Sequence, residues 1–144
     1  MYLQLGDASA LILVSEDGRY LLQKRDCKPG IWYPGKWGCF GGSTNQGETP
    51  VGAALREAKE EIGFAPTGLQ PFCSFNFDLS DQGKRLFFRR YFSATITLAD
   101  ISSIRLGEGS EFGLFSLKDI EERLDLAPYD SFALFLHGRK NELI

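Results

Sequence analysis

Between Thr49 and Gly63 the chain carries a helix whose ends and faces can all be read from its residues. Thr49 can cap the first turn, Pro50 fits a position where its missing N–H costs nothing, and Gly63 can take the left-handed conformation that stops a helix. Across Pro50–Ile62 the apolar side chains fall at Val51, Ala54, Leu55, Ala58 and Ile62. At ~100° per residue they gather into a stripe roughly 100° wide, the face expected to pack on a sheet. Glu57, Glu60 and Glu61 are spaced i, i+3, i+4 and share another face, roughly 130° around the axis. A helix with one packing face must lie on something, so the helix predicts a layered partner.

The flanking segments supply one. Ala8 to Val14 is an apolar run closed by Ser15-Glu16-Asp17-Gly18, and Asp17-Gly18 is a hairpin turn signal that predicts a returning strand over Tyr20–Lys24. Asp26 to Lys36, with two Pro-Gly pairs, reads as a loop carrying Trp32 and Tyr33. Trp37 to Phe40 reads as a short extended piece ending at Gly41-Gly42. Two β-like runs follow the helix, Gln70–Leu79 and Arg85–Thr97, joined by Ser80-Asp81-Gln82-Gly83. Leu106–Gly109 reads as a loop, Glu111–Phe115 as a last strand, and Leu117–Leu124 and Tyr129–Lys140 as amphipathic helices. Strands around one central helix, with helices closing the chain, predict a mixed α/β or α+β layered domain over residues 1–144.

Three carboxylates on one helix face repel one another by a few tenths of a kcal/mol per pair. Arg56 and Lys59 flank that face and cannot neutralise all of it. Water can solvate such a face. A divalent cation can neutralise it, and oxygen donors with no neighbouring His or Cys favour magnesium or manganese over zinc. The preceding segment favours the cation, because Gly41-Gly42 ends a strand and Glu48 precedes the cap. The backbone there approaches a helix N-terminus, where phosphate oxygens are stabilised.

Written out, the segment is Gly42-x5-Glu48-x7-Arg56-Glu57-Ala58-x-Glu60-Glu61-x-Gly63-Phe64. It resembles the Nudix box, G-x5-E-x7-R-E-U-x-E-E-x-G-U with U apolar, at every fixed position; Ala58 stands where a larger aliphatic is usual. So many defined positions at fixed spacing make a specific signal. The hairpin before the box, the strands after it and a late Glu-Gly-x-Glu loop follow the family's order of elements. The resemblance therefore extends over nearly the whole chain.

The resemblance implies the Nudix fold, an α/β/α sandwich with a mixed β-sheet, the Glu57-bearing helix on one side and the C-terminal helices on the other. It also implies Mg2+-dependent hydrolysis (Mn2+ being the alternative ion) of a phosphoanhydride bond in a nucleoside di- or triphosphate derivative. Carried over position by position, Glu57, Glu60 and Glu61 become metal ligands, with the Gly41 carbonyl a further one. Glu48 and Arg56 become the structural pair that orients them. The general base is either Glu57 or a glutamate of the loop before the last strand, where Glu108 and Glu111 are available; flanking glycines favour Glu108. Arg25 holds a place where related enzymes put an arginine on substrate phosphates.

For the substrate, Trp37 and Phe40 in Trp-x-x-Phe-Gly-Gly resemble the oxidised-purine nucleoside triphosphatases, and sugar-nucleotide or other nucleoside diphosphate hydrolases are the alternative. The proline that marks ADP-ribose pyrophosphatases is Leu79 here, and Ser80, Asp81 and Gln82 stand where diadenosine polyphosphate hydrolases have a tyrosine. Trp32, Tyr33, Phe75 and Phe77 can stack on a base or pack in a core, the latter expected for Phe75 and Phe77. Lys84, Arg85, Arg89 and Arg90 form a basic stretch, read as a solvated sheet face. His137, the only histidine, is expected to be satisfied or at the surface. Rival classes sharing the fold are a nucleotide sensor, which typically has a degraded box, and a diphosphate isomerase, which needs a Cys–Glu pair.

Composition limits the partners. Nineteen acidic against sixteen basic residues give a net charge of −3, which argues against nucleic acid and against an anionic membrane. The partner expected is a small-molecule nucleotide, and a homodimer is a family habit. Three cysteines without a CxxC pair predict a reducing, cytoplasmic setting and no thiolate zinc site.

Overall fold

The computed structural model describes residues 7–31, 33–83, 86–107 and 111–143. Among these residues the chain forms a seven-stranded mixed sheet. β1 (Ala8–Ser15) and β2 (Tyr20–Lys24) make the predicted hairpin. β6 (Phe87–Ile96) runs parallel to β1 on its other side, β5 (Gln70–Phe77) pairs antiparallel with β6, and β7 (Glu111–Phe115) pairs antiparallel with β2.

The hairpin does not stay closed. β1 and β2 face each other only at Leu13–Leu21 and Val14–Tyr20. Beyond that point residues 37–43 fill the gap. β3 (Trp37–Gly38) pairs with β2, and β4 (Phe40–Ser43) pairs with β1. The short extended piece expected to end at the glycine pair thus continues through it to Ser43 and breaks instead at Cys39.

Both faces of β1 are covered, which is why its sequence is nearly continuously apolar instead of alternating. Leu11 and Leu13 point to α1 (Pro50–Ile62), packing with Leu21, Phe40, Ala54, Ala58, Ile62, Phe92 and Ile96. Ala10 and Ile12 point the other way, with Tyr20, Leu22, Cys39 and Tyr91, toward Ile120 of α3 (Leu117–Glu122) and Ala133 and Leu134 of α4 (Pro128–Gly138). This is the α/β/α sandwich. A short helix, α2 (Leu98–Ser102), was not expected. Its signal is the capping box in which Thr97 accepts from the Asp100 N–H and Asp100 accepts from the Thr97 N–H.

Two expectations need correction here. Val51 is 42% exposed, and Ala53 is buried instead. Wheel position alone therefore misassigns the first turn of α1. Arg89 is not part of a solvated basic face; it is buried and paired with Asp130 at 3.2 Å. Lys84, Arg85 and Trp32 lie outside the described residues. Phe75 and Phe77 are partly buried in a ring cluster, 5.6 Å apart and edge-on, as their core reading required.

His137 is buried and satisfied, the first of its two expected settings. Its Nδ1 lies 2.8 Å from the Tyr20 hydroxyl, and Phe72 meets its ring edge-on at 4.9 Å. Burial first, and then the nearby Lys140, hold its pKa down to about 4 from the ordinary 6.5. Between those values the unfolded chain takes up a proton that the folded chain refuses, so stability is full above about pH 6.5 and falls as pH drops toward 4. The loss is at most ~3 kcal/mol. Denaturant titrations at pH 7 and pH 4.5 are expected to show this slope in the native protein and a flatter one in His137→Gln. An equal slope in both would show that this ring is not its source.

Candidate active site

The site is built where β4 meets α1. Ser9, a polar residue inside the apolar run of β1, is fully buried and donates to the Pro50 carbonyl at 2.8 Å, tying the start of the helix to the sheet. Gly52 N–H donates to the Thr49 hydroxyl at 3.1 Å, and Gly63 ends the helix in the left-handed conformation at φ 88°.

β4 passes so close to its neighbours that side chains are excluded. Gly41 has φ 150°, and a Cβ there would overlap the Ser9 carbonyl oxygen. A Cβ on Gly42 would sit 2.5 Å from the Glu57 carboxyl carbon. The vacated space is occupied by glutamates. Gly41 N–H donates to Glu61 Oε2 at 2.9 Å. The sequence expectation that all three carboxylates share a face turned from the packing stripe is therefore corrected: Glu61 is 2% exposed and Glu57 is 13% exposed in its side chain, whereas only Glu60, at 56%, faces outward. The bare backbone of the glycine pair admits charged side chains to the helix–sheet interface.

Arg56 organises the cluster. Its Nε and Nη2 fork onto the two Glu48 oxygens at 2.8 and 3.0 Å, and Nη2 also donates to the Ser43 carbonyl at 2.9 Å. Nη1 donates to Glu57 at 2.9 Å and to Glu60 at 3.2 Å. Glu48 accepts the Asn45 N–H as well, at 3.0 Å. Bonds from Arg56, then from the Asn45 N–H, hold the Glu48 carboxyl below the usual range, and Glu48, then Glu57, push the guanidinium upward. Glu48, Arg56, Glu57 and Glu60 are thus joined in one network, and Glu61 is held beside it by the Gly41 N–H.

At the other end of α1, Arg105 N–H donates to the Ile62 carbonyl at 3.2 Å and Gly107 N–H to the Glu61 carbonyl at 2.9 Å. A Cβ on Gly107 would overlap the Glu60 carbonyl oxygen. The loop leading toward Glu108 is therefore docked on the helix end that bears Glu60 and Glu61; Glu108 itself lies outside the described residues. Glu111 opens β7 with its carboxylate 3.6 Å from the Lys24 ammonium.

The expected substrate contacts divide. Arg25, partly exposed, continues β2 by accepting the Gly35 N–H and donating to the Lys36 carbonyl. Trp37 is partly buried, edge-on to Phe115 at 4.8 Å. Phe40 is fully buried against Ala54 and Ala58, so it builds the core and offers no stacking surface, a correction to its expected role.

The donors at the site are oxygens of Glu57, Glu60, Glu61 and the neighbouring strand backbone, which suit a hard divalent cation. Among the described residues no three carboxylate, imidazole or thiol groups already stand together as a metal cage. Arg56 and the Gly41 N–H engage the three carboxylates.

Comparison with known proteins gives the family and the fold. The family model of the NUDIX domain matches residues 4–135, and the chain belongs to the Nudix family. The class so defined is that of the Nudix pyrophosphohydrolases, within which the structure is MutT-like. The MutT protein from Methanosarcina mazei Go1 superimposes with a TM-score of 0.79 at 22% identity, covering 99% of each chain, a likeness of fold alone. A MutT NUDIX hydrolase from Burkholderia pseudomallei is 25% identical, with a TM-score of 0.73 over 90% of this chain and 95% of its own. The NUDIX domain of Shewanella oneidensis NrtR, solved with ADP ribose, is 19% identical with a TM-score of 0.74, over 99% of this chain and 90% of its own. No curated protein sequence matches. Among the described residues no helix is long and apolar enough to cross a membrane.

Proposed function

We propose that this chain hydrolyses a phosphoanhydride bond in a nucleoside di- or triphosphate derivative, using Mg2+ or Mn2+ held by Glu57, Glu60, Glu61 and the Gly41 carbonyl. The observation that carries the reading is the meeting of the Arg56 network and the bare Gly41–Gly42 backbone at Glu57, with Glu60 held by Arg56 and Glu61 by the Gly41 N–H. The bound ion would polarise phosphoryl oxygens, activate the attacking water and steady the departing phosphate group. Arg56 orients Glu57 and Glu60 while anchored on Glu48, so its charge-assisted bonds set carboxylate direction. The proton acceptor is drawn from Glu57, Glu108 and Glu111, and Arg25 and Trp37 are the proposed substrate contacts. The ligand is read as a free nucleotide, consistent with the negative net charge, and not as nucleic acid.

The test is release of phosphate or diphosphate, with and without Mg2+, from ordinary and oxidised purine triphosphates, sugar nucleotides and dinucleotides. Turnover of an oxidised purine triphosphate with diphosphate release is the expected result. Tight nucleotide binding without any turnover would replace the hydrolase reading by a sensor. Arg56→Lys, which keeps the charge but cannot fork, is expected to lower kcat/KM about 10- to 100-fold with the melting temperature nearly unchanged. Unaltered kinetics in that variant would remove Arg56 from the site.

A further inference from the structure

The segment that carries the glycine pair changes partners midway. Gly38 of β3 stands opposite Gln23 of β2, Phe40 of β4 stands opposite Leu11 of β1, and the buried Cys39 between them belongs to neither strand. A buried peptide outside a ladder leaves a donor and an acceptor that must find partners. Both are found on side chains. Cys39 N–H donates to Asp130 Oδ2 at 3.0 Å, and the Cys39 carbonyl accepts from Gln23 Nε2 at 3.4 Å.

Neither partner is incidental. Gln23 and Asp130 are both buried. Asp130 is held in place through its other oxygen, which accepts from the Tyr91 hydroxyl at 2.9 Å and from Arg89 Nη2 at 3.2 Å. Arg89 in turn donates to the Tyr91 hydroxyl at 3.0 Å and lies 4.2 Å over the Tyr129 ring. The strand leaves room for the carboxylate, since a Cβ on Gly38 would sit 2.6 Å from Asp130 Oδ2. Two residues beyond Cys39, the Gly41 N–H meets Glu61, and Gly42 backs onto Glu57.

We propose that Asp130 and Gln23 are positioning residues: by gripping the two sides of the Cys39 peptide they fix the partner switch that sets the Gly41–Gly42 backbone against Glu61 and Glu57. The β1–β4 ladder fixes which residues face each other, but not where the strand enters it. That entry point is set at Cys39, by groups borrowed from β2 and from the C-terminal helix. Small displacements of site groups are costly to function even when the fold tolerates them. The proposal rests on the reading of these glutamates as ligands of a hydrolase, and its test separates the two.

The variants are Gln23→Met, Asp130→Ala and Asp130→Asn, the last of which keeps an oxygen for the Cys39 N–H. The readouts are amide exchange at Gly41 by NMR, binding of Mn2+ alone, and kcat and KM. Gln23→Met and Asp130→Ala are expected to speed Gly41 exchange about tenfold, with Ala54 and Ile62 protected as before. Half-saturation with Mn2+ is expected to rise about 10-fold, and kcat to fall while KM holds. Asp130→Asn is expected to restore most of the Gly41 protection. If Asp130→Ala does not fold, because Arg89 is left buried without its partner, Gln23→Met decides alone. Wild-type exchange and Mn2+ affinity in Gln23→Met, with only the melting temperature lowered, would overturn the proposal. A wild-type protein that binds no Mn2+ and turns over nothing would instead overturn the hydrolase reading, leaving the Gly41 exchange result to judge the positioning.

Discussion

Glu57→Gln is expected to lower kcat by ~10²- to 10³-fold while moving the melting temperature by no more than a few degrees. The amide keeps an oxygen for Arg56 Nη1, which donates to Glu57 at 2.9 Å, and it keeps the side-chain volume that fills the space left by Gly42. What it lacks is the negative charge that the proposed role, holding a cation or taking a proton from water, requires. The stability effects oppose one another, since losing a charge beside Arg56 is offset by relieving repulsion from Glu60 and Glu61. Steady-state kinetics with Mg2+ and a thermal melt on the same preparation check both halves. Full turnover by the variant would contradict the assignment of this carboxylate.

The glycine pair yields a second large effect, and the two members are expected to fail differently. Gly42 has an ordinary backbone conformation, so alanine fits the strand, but its Cβ would displace the Glu57 carboxylate. The carboxylate is the end of a flexible side chain and can move aside. Gly42→Ala is therefore expected to fold with a near-native melting temperature and to lose about 10²-fold in kcat. At Gly41 the obstacle is the backbone of Ser9, and the φ of 150° is itself unfavourable for alanine. Gly41→Ala is expected to lose about 2–4 kcal/mol of stability, read by denaturant unfolding. Equal melting temperatures for the two variants, or full activity in Gly42→Ala, would refute this division of labour.

Much of this was legible in the residues because the relevant interactions are local. The helix Pro50–Ile62 appears with the bounds its capping residues predict, and the Asp17-Gly18 turn produces the β1–β2 hairpin. Even the missed α2 carries its own signal in Thr97 and Asp100. What could not be read is long-range. Periodicity placed Glu57 and Glu61 away from the packed face because nothing within the helix says that the facing strand lacks side chains. The gap between β1 and β2, and the insertion of residues 37–43 into it, depend on pairings between distant segments. For the same reason Gln23 and Asp130 carry no local signal. A polar residue in Tyr20–Lys24 or in the first turn of α4 looks ordinary until the Cys39 peptide is found between them.

The wedge of residues 37–43 also dictates an order of assembly. The Nudix box is synthesised by Phe64, yet the Cys39 N–H finds its acceptor only on Asp130, and β1 finds its parallel neighbour only with β6. A nascent chain that has emitted every box residue still lacks the groups that hold the wedge in place. The backbone geometry of the glycine pair should thus be completed late in biosynthesis, as the C-terminal helix docks, and not when the last box residue is added.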